Sequence, residues 1–144
     1  MAGKDKIEEL ADQLHSAAIR LLRLVRVQDA ASGVAPARLS ALSVIVFGGP
    51  VSLRELARAE QVRPPTMSRI VDALEALGLA RRRRNAQDRR AVEIAATKKG
   101  VTLLMKGRDR RVKFLASCLA RLTRDERAQI AGAVAAIKKA LQPR

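Results

Sequence analysis

Apolar residues Ile7, Leu10, Leu14, Ala17, Leu21 and Leu24 recur at alternating intervals of three and four. That spacing paints one stripe on a long helix, roughly Lys4 to Val27. Ser32-Gly33-Val34-Ala35-Pro36 breaks the pattern, and a short apolar helix is expected over 40–47 with Ser40 as its N-cap. Gly48-Gly49-Pro50 reads as a turn. Ser52-Leu53-Arg54-Glu55 fits a capping box, in which the serine oxygen serves the amide three residues on and the glutamate reaches back. A helix is therefore predicted from Ser52 to about Glu60. After the turn Gln61-Val62-Arg63, Pro64 and Pro65 suit a helix's first turn, where missing N–H groups cost little. Met67, Ile70, Val71, Leu74 and Leu77 form its buried stripe, and Gly78 is its C-terminal glycine.

The period then changes. Leu79 to Ala96 reads as a two-stranded hairpin around the turn formers Asn85 to Asp88, with Val92 and Ile94 facing inward and Glu93 outward. Thr97 caps a helix starting at Lys98. The stripe of that helix is Val101, Met105, Arg108, Val112, Leu115, Leu119 and Leu122. Thr123-Arg124-Asp125-Glu126 is a second capping box, and Ile130, Val134, Ile137 and Leu141 mark the last helix.

Residues 40–96 thus read helix, helix, helix, hairpin, the order of a winged helix-turn-helix. The long end helices carry stripes of about 3.5-residue period, which seek partner helices. The fold class is mainly α with a small β-hairpin wing. The expected division is an N-terminal dimerisation helix over 1–35, a winged helix-turn-helix DNA-binding domain over 36–97, and C-terminal dimerisation helices over 98–144. Two-fold related heads predict a pseudo-palindromic site on double-stranded DNA.

Charge sharpens this picture. Among 144 residues there are 29 Lys plus Arg against 14 acids, a net charge of +15, so the first partner to consider is a polyanion. Residues 1–30 hold five bases and five acids, residues 61–97 eight and four, and residues 98–144 thirteen and three. Aromatics make up 1% of the chain, so the stacking platforms of single-strand binders are missing. One cysteine and one histidine leave no disulfide framework and argue against a zinc site. No cofactor is expected. Glycine-rich phosphate loops, metalloprotease helices and nucleophile elbows are absent from the sequence, so an enzyme is not expected. The first ten residues lack an apolar signal core, and no apolar run approaches the ~18 residues of a membrane span. A cytoplasmic protein with no membrane partner is the expectation.

The face of the fourth helix opposite its core carries Arg63, Pro64, Thr66, Ser68, Arg69 and Asp72. Arginine can bridge two acceptors on guanine, and Thr and Ser reach bases or phosphates. Residues 81–90 hold six arginines, of which Arg82, Arg84, Arg89 and Arg90 are the candidate wing contacts. Strand alternation sends Arg82 and Arg84 one way, and Arg81 and Arg83 the other. Arg108 interrupts its apolar stripe and, with Lys106, Arg110, Arg111 and Lys113, reads first as a solvated basic face, the alternative being an anionic effector site or an extra DNA contact. Cys118, beside the Leu115–Leu119 stripe, is expected to be a buried, inert thiol. His15 is expected on a helix surface. The functional expectation is a sequence-specific DNA-binding transcriptional regulator. The competing one is a sequence-independent architectural nucleic-acid-binding protein.

The run from Val62 to Glu75, then Gly78-Leu79, Asp88-Arg89-Arg90 and Thr97-Lys98-Lys99-Gly100, resembles the MarR (multiple antibiotic resistance regulator) family, as does Leu53-Arg54-Glu55-Leu56-Ala57 in the preceding helix. The motif likeness spans roughly residues 39–100, and helix layout carries it beyond. It implies an obligate homodimer, usually a repressor, often released by a small anionic or phenolic effector or by oxidation. It also implies that Asp88 pairs with Arg90 and shapes the wing. Ala96 stands where the family usually has leucine, and Arg81 where an acid is common.

Overall fold

The computed structural model describes residues 2–142. Helix α1 spans Ala2–Val27, and a 3₁₀ turn over Ala30–Ser32 leads to α2 at Pro36–Gly48. Next come α3 at Leu53–Ala59, α4 at Pro64–Ala76, strands β1 at Ala80–Arg84 and β2 at Val92–Ala96, α5 at Lys98–Leu119 and α6 at Arg124–Ala140. Among the described residues, no single helix is long and apolar enough to cross a membrane.

The local signals act as chemistry requires. Ser52 Oγ accepts from the Glu55 N–H at 3.2 Å, while Glu55 Oε2 accepts from the Ser52 N–H at 2.8 Å. Thr123 and Glu126 repeat this at the start of α6. One start signal was misread. α2 begins at Pro36, whose fixed φ suits the first turn, and not at Ser40. Ser40 lies inside the helix, where its hydroxyl donates to Glu60 Oε1 at 3.0 Å. Gln61, in the turn between α3 and α4, has φ 54°, a left-handed conformation that side chains disfavour.

The core belongs to the middle of the chain. Leu42 and Ile45 of α2, Leu56 of α3, Met67, Val71 and Leu74 of α4, Leu79, and Ile94 of β2 form one buried cluster that Leu104 of α5 closes. Strands β1 and β2 pair antiparallel, with Arg82 opposite Ile94 and Arg84 opposite Val92. Val51 adds a bridge to Ile94 through N–H to O distances of 3.1 and 2.7 Å. Ile94 is buried as expected, but Val92 is 54% exposed. It shares the face of Ile94, yet at the far end of the ladder, where no body lies beneath it. Glu93 does not face solvent freely either. It accepts from Arg83 Nε at 2.7 Å and Asn85 Nδ2 at 2.9 Å.

The wing is tied to the body at its base. Gly78, at φ 69°, ends α4 in the left-handed turn that glycine adopts without strain. Thr97 Oγ1 donates to the Gly78 carbonyl at 2.6 Å and accepts from the Gly100 N–H at 3.1 Å. Lys99 Nζ donates to the Leu77 carbonyl at 2.7 Å, a cation placed at the negative end of α4. A Cβ at Gly100 would overlap the Leu79 carbonyl oxygen, so glycine is required there.

The end helices differ. Among the described residues, neither α1 nor α6 contributes to the buried core. Ile7, Leu10, Leu21 and Leu24 of α1 are exposed, as is Val134 of α6. In α5 the residues packed on the body are Gly100, Leu104 and Gly107, whereas the stripe residues Val101, Met105, Val112 and Leu119 stay open. Cys118 is likewise exposed, against expectation, because the stripe beside it has no cover within one chain.

Candidate nucleic-acid interface

Helix α4 sinks Met67, Val71 and Leu74 into the core, and this sets what it presents outward. Arg63, Pro64, Thr66 and Arg69 are exposed on the opposite side, and Ser68 is half-buried. Arg63 and Arg69 form no ion pair among the described residues. An outer helix face with two uncommitted guanidinium groups is suited to anions and to acceptor edges of bases.

The wing arginines divide into two kinds. Arg84, Arg89 and Arg90 are exposed and carry no ion pair among the described residues, and Arg81 is also exposed. Arg82 is committed inside the protein. Its Nη2 lies 2.8 Å from Asp72 Oδ1 and 3.4 Å from Ser68 Oγ, its Nη1 pairs with Glu75 Oε2, and its backbone N–H donates to Glu75 Oε1 at 2.7 Å. Partial burial works against the Arg82 charge, but hydrogen bonds and attraction from Asp72 and Glu75 outweigh it and hold its pKa above the ordinary arginine value. Arg82 was expected to be a DNA contact. Its position clamps the wing onto the recognition helix, and Asp72, expected on the reading face, is the clamp's other jaw. Arg83 is engaged by Glu93.

The hairpin loop is shaped by side-chain acceptors. Asn85 Oδ1 receives the Gln87 N–H at 2.8 Å and the Asp88 N–H at 3.1 Å, and Asp88 Oδ1 receives the Arg90 N–H at 2.9 Å. The expected Asp88–Arg90 pairing therefore runs to the backbone amide. Among the described residues, the guanidinium groups of Arg89 and Arg90 form no ion pair. Asp88 costs the wing one unit of positive charge and fixes its loop.

A second feature lies where α1, α2 and α5 meet. A cavity of about 280 Å³ is lined by Arg26, Asp29, Leu39, Phe47, Leu104 and Arg111, among others. Arg111 Nη1 pairs with Asp29 Oδ1, and Arg110 Nε donates to the Gln28 carbonyl at 3.3 Å, joining the end of α1 to α5. The basic cluster of α5 had been noted in the sequence, but the Asp29 partner, 82 residues away, had no local signal. Among the described residues no group of three or more His, Cys, Asp or Glu could hold a metal ion.

Comparisons with known proteins agree with this geometry. The model of the MarR family matches residues 32–91. An uncharacterized HTH-type transcriptional regulator of Mycobacterium bovis is 35% identical over 123 residues, covering 85% of this chain and 86% of that protein. The HTH-type transcriptional repressor MdtR of Bacillus subtilis is 29% identical over 110 residues, covering 76% of this chain and 71% of its own. A solved MarR family protein from Bacillus stearothermophilus superposes with a TM-score of 0.81 at 21% identity, covering 96% of each chain.

Proposed function

The chain belongs to the MarR family of winged helix-turn-helix DNA-binding transcriptional regulators, and on that premise we propose that it represses transcription as a homodimer on a pseudo-palindromic operator. Arg63, Pro64, Thr66, Ser68 and Arg69 enter the major groove. Arg84, Arg89 and Arg90 grip the flanking backbone or minor groove, with Asp88 holding their loop and Arg82 setting the wing's angle to α4. The observation that carries this reading is the sorting of arginines: those on the outer faces of α4 and the wing tip are uncommitted, and the one between them is clamped.

The dimer follows from the open stripes. Exposed apolar residues run along α1, α5 and α6, and a second copy covers them. The division into residues 1–35, 36–97 and 98–144 follows the same boundary between a self-contained head and end helices that need a partner. The cavity between α1, α2 and α5 is the place for a small anionic or phenolic effector, since apolar walls there meet Arg26 and Arg111. Binding there would alter the spacing of the heads and release DNA. Such work places the protein in the cytoplasm with the chromosome.

Selection from a random duplex library with purified protein at near-physiological salt tests the reading. Enrichment of a pseudo-palindrome with half-sites about one helical turn apart is expected. If the dimer neutralises about 8 phosphates, log affinity falls against log salt with a slope of about −7. Retention of DNA without any enriched sequence would contradict operator recognition and favour an architectural role.

A further inference from the structure

The reading head does not carry most of the charge. Residues 61–97, which include the recognition helix and wing, hold eight bases against four acids, and residues 98–144 hold thirteen against three. These are net charges of +4 and +10 out of +15. The larger share therefore lies outside the recognition helix and wing.

Helix α5 shows where part of that charge points. Between Lys98 and Lys113 it bears eight bases and acids, of which only Asp109 is an acid. At about 100° per residue the helix has three separate faces. Gly100, Leu104 and Gly107 pack on the body. Val101, Met105 and Val112 form the open apolar stripe. Lys98, Thr102, Lys106 and Lys113 share a third face with Asp109, centred roughly a quarter of a turn from the apolar stripe, so a partner helix covering that stripe leaves Thr102, Lys106 and Lys113 free while Lys98 borders it. Beside them lies a groove between α5 and the 3₁₀ turn, lined by Ser32, Lys98, Thr102, Leu103, Lys106 and Arg110. Lys98, Lys106 and Lys113 are exposed and form no ion pair among the described residues. Lys99 and Arg110 are partly spent on the Leu77 and Gln28 carbonyls.

We infer that this face of α5 is a second duplex-binding surface, which takes the phosphates of a DNA segment other than the one the heads read. Its form fits an extended polyanion better than a small ligand. Lys98 to Lys113 span about 22 Å at 1.5 Å per residue. A duplex presents roughly 13 charges over that length. The face is also remote from the reading tip: Lys99 sits on the C-terminal end of α4, whereas Arg63 and Thr66 are at the N-terminal end. On this inference the protein joins two DNA segments, through charge alone and without base readout.

The inference rests on the heads binding DNA as proposed above, and the test separates the two. Beads carrying a duplex with the selected site are loaded with full-length protein below one dimer per site, washed, and offered a labelled duplex lacking that site. Wild-type protein should capture the second duplex. The variant Lys98→Gln/Lys106→Gln/Lys113→Gln should load on the first duplex as wild type does, yet capture the second about tenfold less, with a salt slope of capture shallower by about 3. Wild-type protein that loads but captures nothing overturns the inference, and so does a triple variant that captures as well as wild type. If wild type never loads on the selected site, the operator reading fails instead. Direct binding of site-free duplex then decides: weaker binding by the triple variant upholds the second surface, and equal binding overturns it.

Discussion

Leu42 and Leu14 occupy the same kind of position, an apolar place on a helix that repeats every three or four residues. Leu42, in the head, is fully buried, whereas Leu14, on α1, is 46% exposed. The contrast extends to whole regions. From Ala41 to Leu104 the chain builds one closed aliphatic core, while among the described residues α1 and α6 place none in that core. Periodicity says only that a face is apolar. Whether the same chain covers that face is decided by topology, and here no other element of the described chain covers the stripes of α1 and α6. The head is a unit completed within one chain, and in the proposed dimer the end helices are half of a unit.

The largest effect should come from attacking the open half. Leu10→Glu/Leu14→Glu places charges in the α1 stripe, where the account puts a second copy. It should leave a folded head but lower operator affinity about 10²- to 10⁴-fold, because two linked heads lose their avidity. Binding titrations would show it, and unchanged affinity would remove α1 from the interface.

In the closed half, Leu42→Ala should destabilise by about 2–5 kcal/mol in denaturant unfolding, since it opens a cavity in a core that is already complete. The loss should not depend on protein concentration, unlike that of the α1 variant. On the outer face of the same unit, Arg69→Ala should cost about 1–3 kcal/mol of operator binding and relax base preference. Arg82→Ala should weaken binding with little change in the salt slope, because its guanidinium is held by Asp72 and Glu75 and not by phosphate. A salt slope that fell by about one unit for Arg82→Ala would count it as a phosphate contact after all.

The smallest effect is shared by both halves. Glu55 caps α3 in the head and Glu126 caps α6 in the end region. Backbone amide donation from Ser52 and Thr123 respectively, helped by their hydroxyls, holds each carboxylate below the ordinary glutamate pKa. A lowered folded pKa stabilises above the unfolded value and is lost as pH falls through the folded one. Thermal unfolding should therefore lose a small increment in the acid range, below the usual glutamate pKa. Glu55→Gln and Glu126→Gln should each flatten that dependence. Equal acid sensitivity in the variants would contradict it.

How far the sequence could be read follows the reach of each interaction. Ser52 with Glu55, Thr123 with Glu126, and Gly78 at the end of α4 act within three residues or on one backbone angle, and they were legible as they stand. Thr97 and Gly100 were recognised as a motif. Their physical reason, a hydroxyl on the Gly78 carbonyl and a helix pressed against the Leu79 carbonyl, needed the tertiary structure. Four consecutive arginines are chemically identical in the sequence. Asp72 and Glu75, one turn apart on α4, single out Arg82 because β1 starts immediately beyond them. Alternation gave the face of Val92 but not the edge of the body beneath it. Serine was favoured over proline as the start of α2, and φ restriction at Pro36 prevailed.

The central claim, that the head is complete within one chain and the end helices are not, is tested most directly by the mass of the protein in solution. Sedimentation equilibrium from nanomolar to micromolar concentration should give twice the 15.7 kDa of the chain, with Leu10→Glu/Leu14→Glu shifted to the single-chain mass. A wild-type protein that sediments at 15.7 kDa with its helices intact would contradict the account.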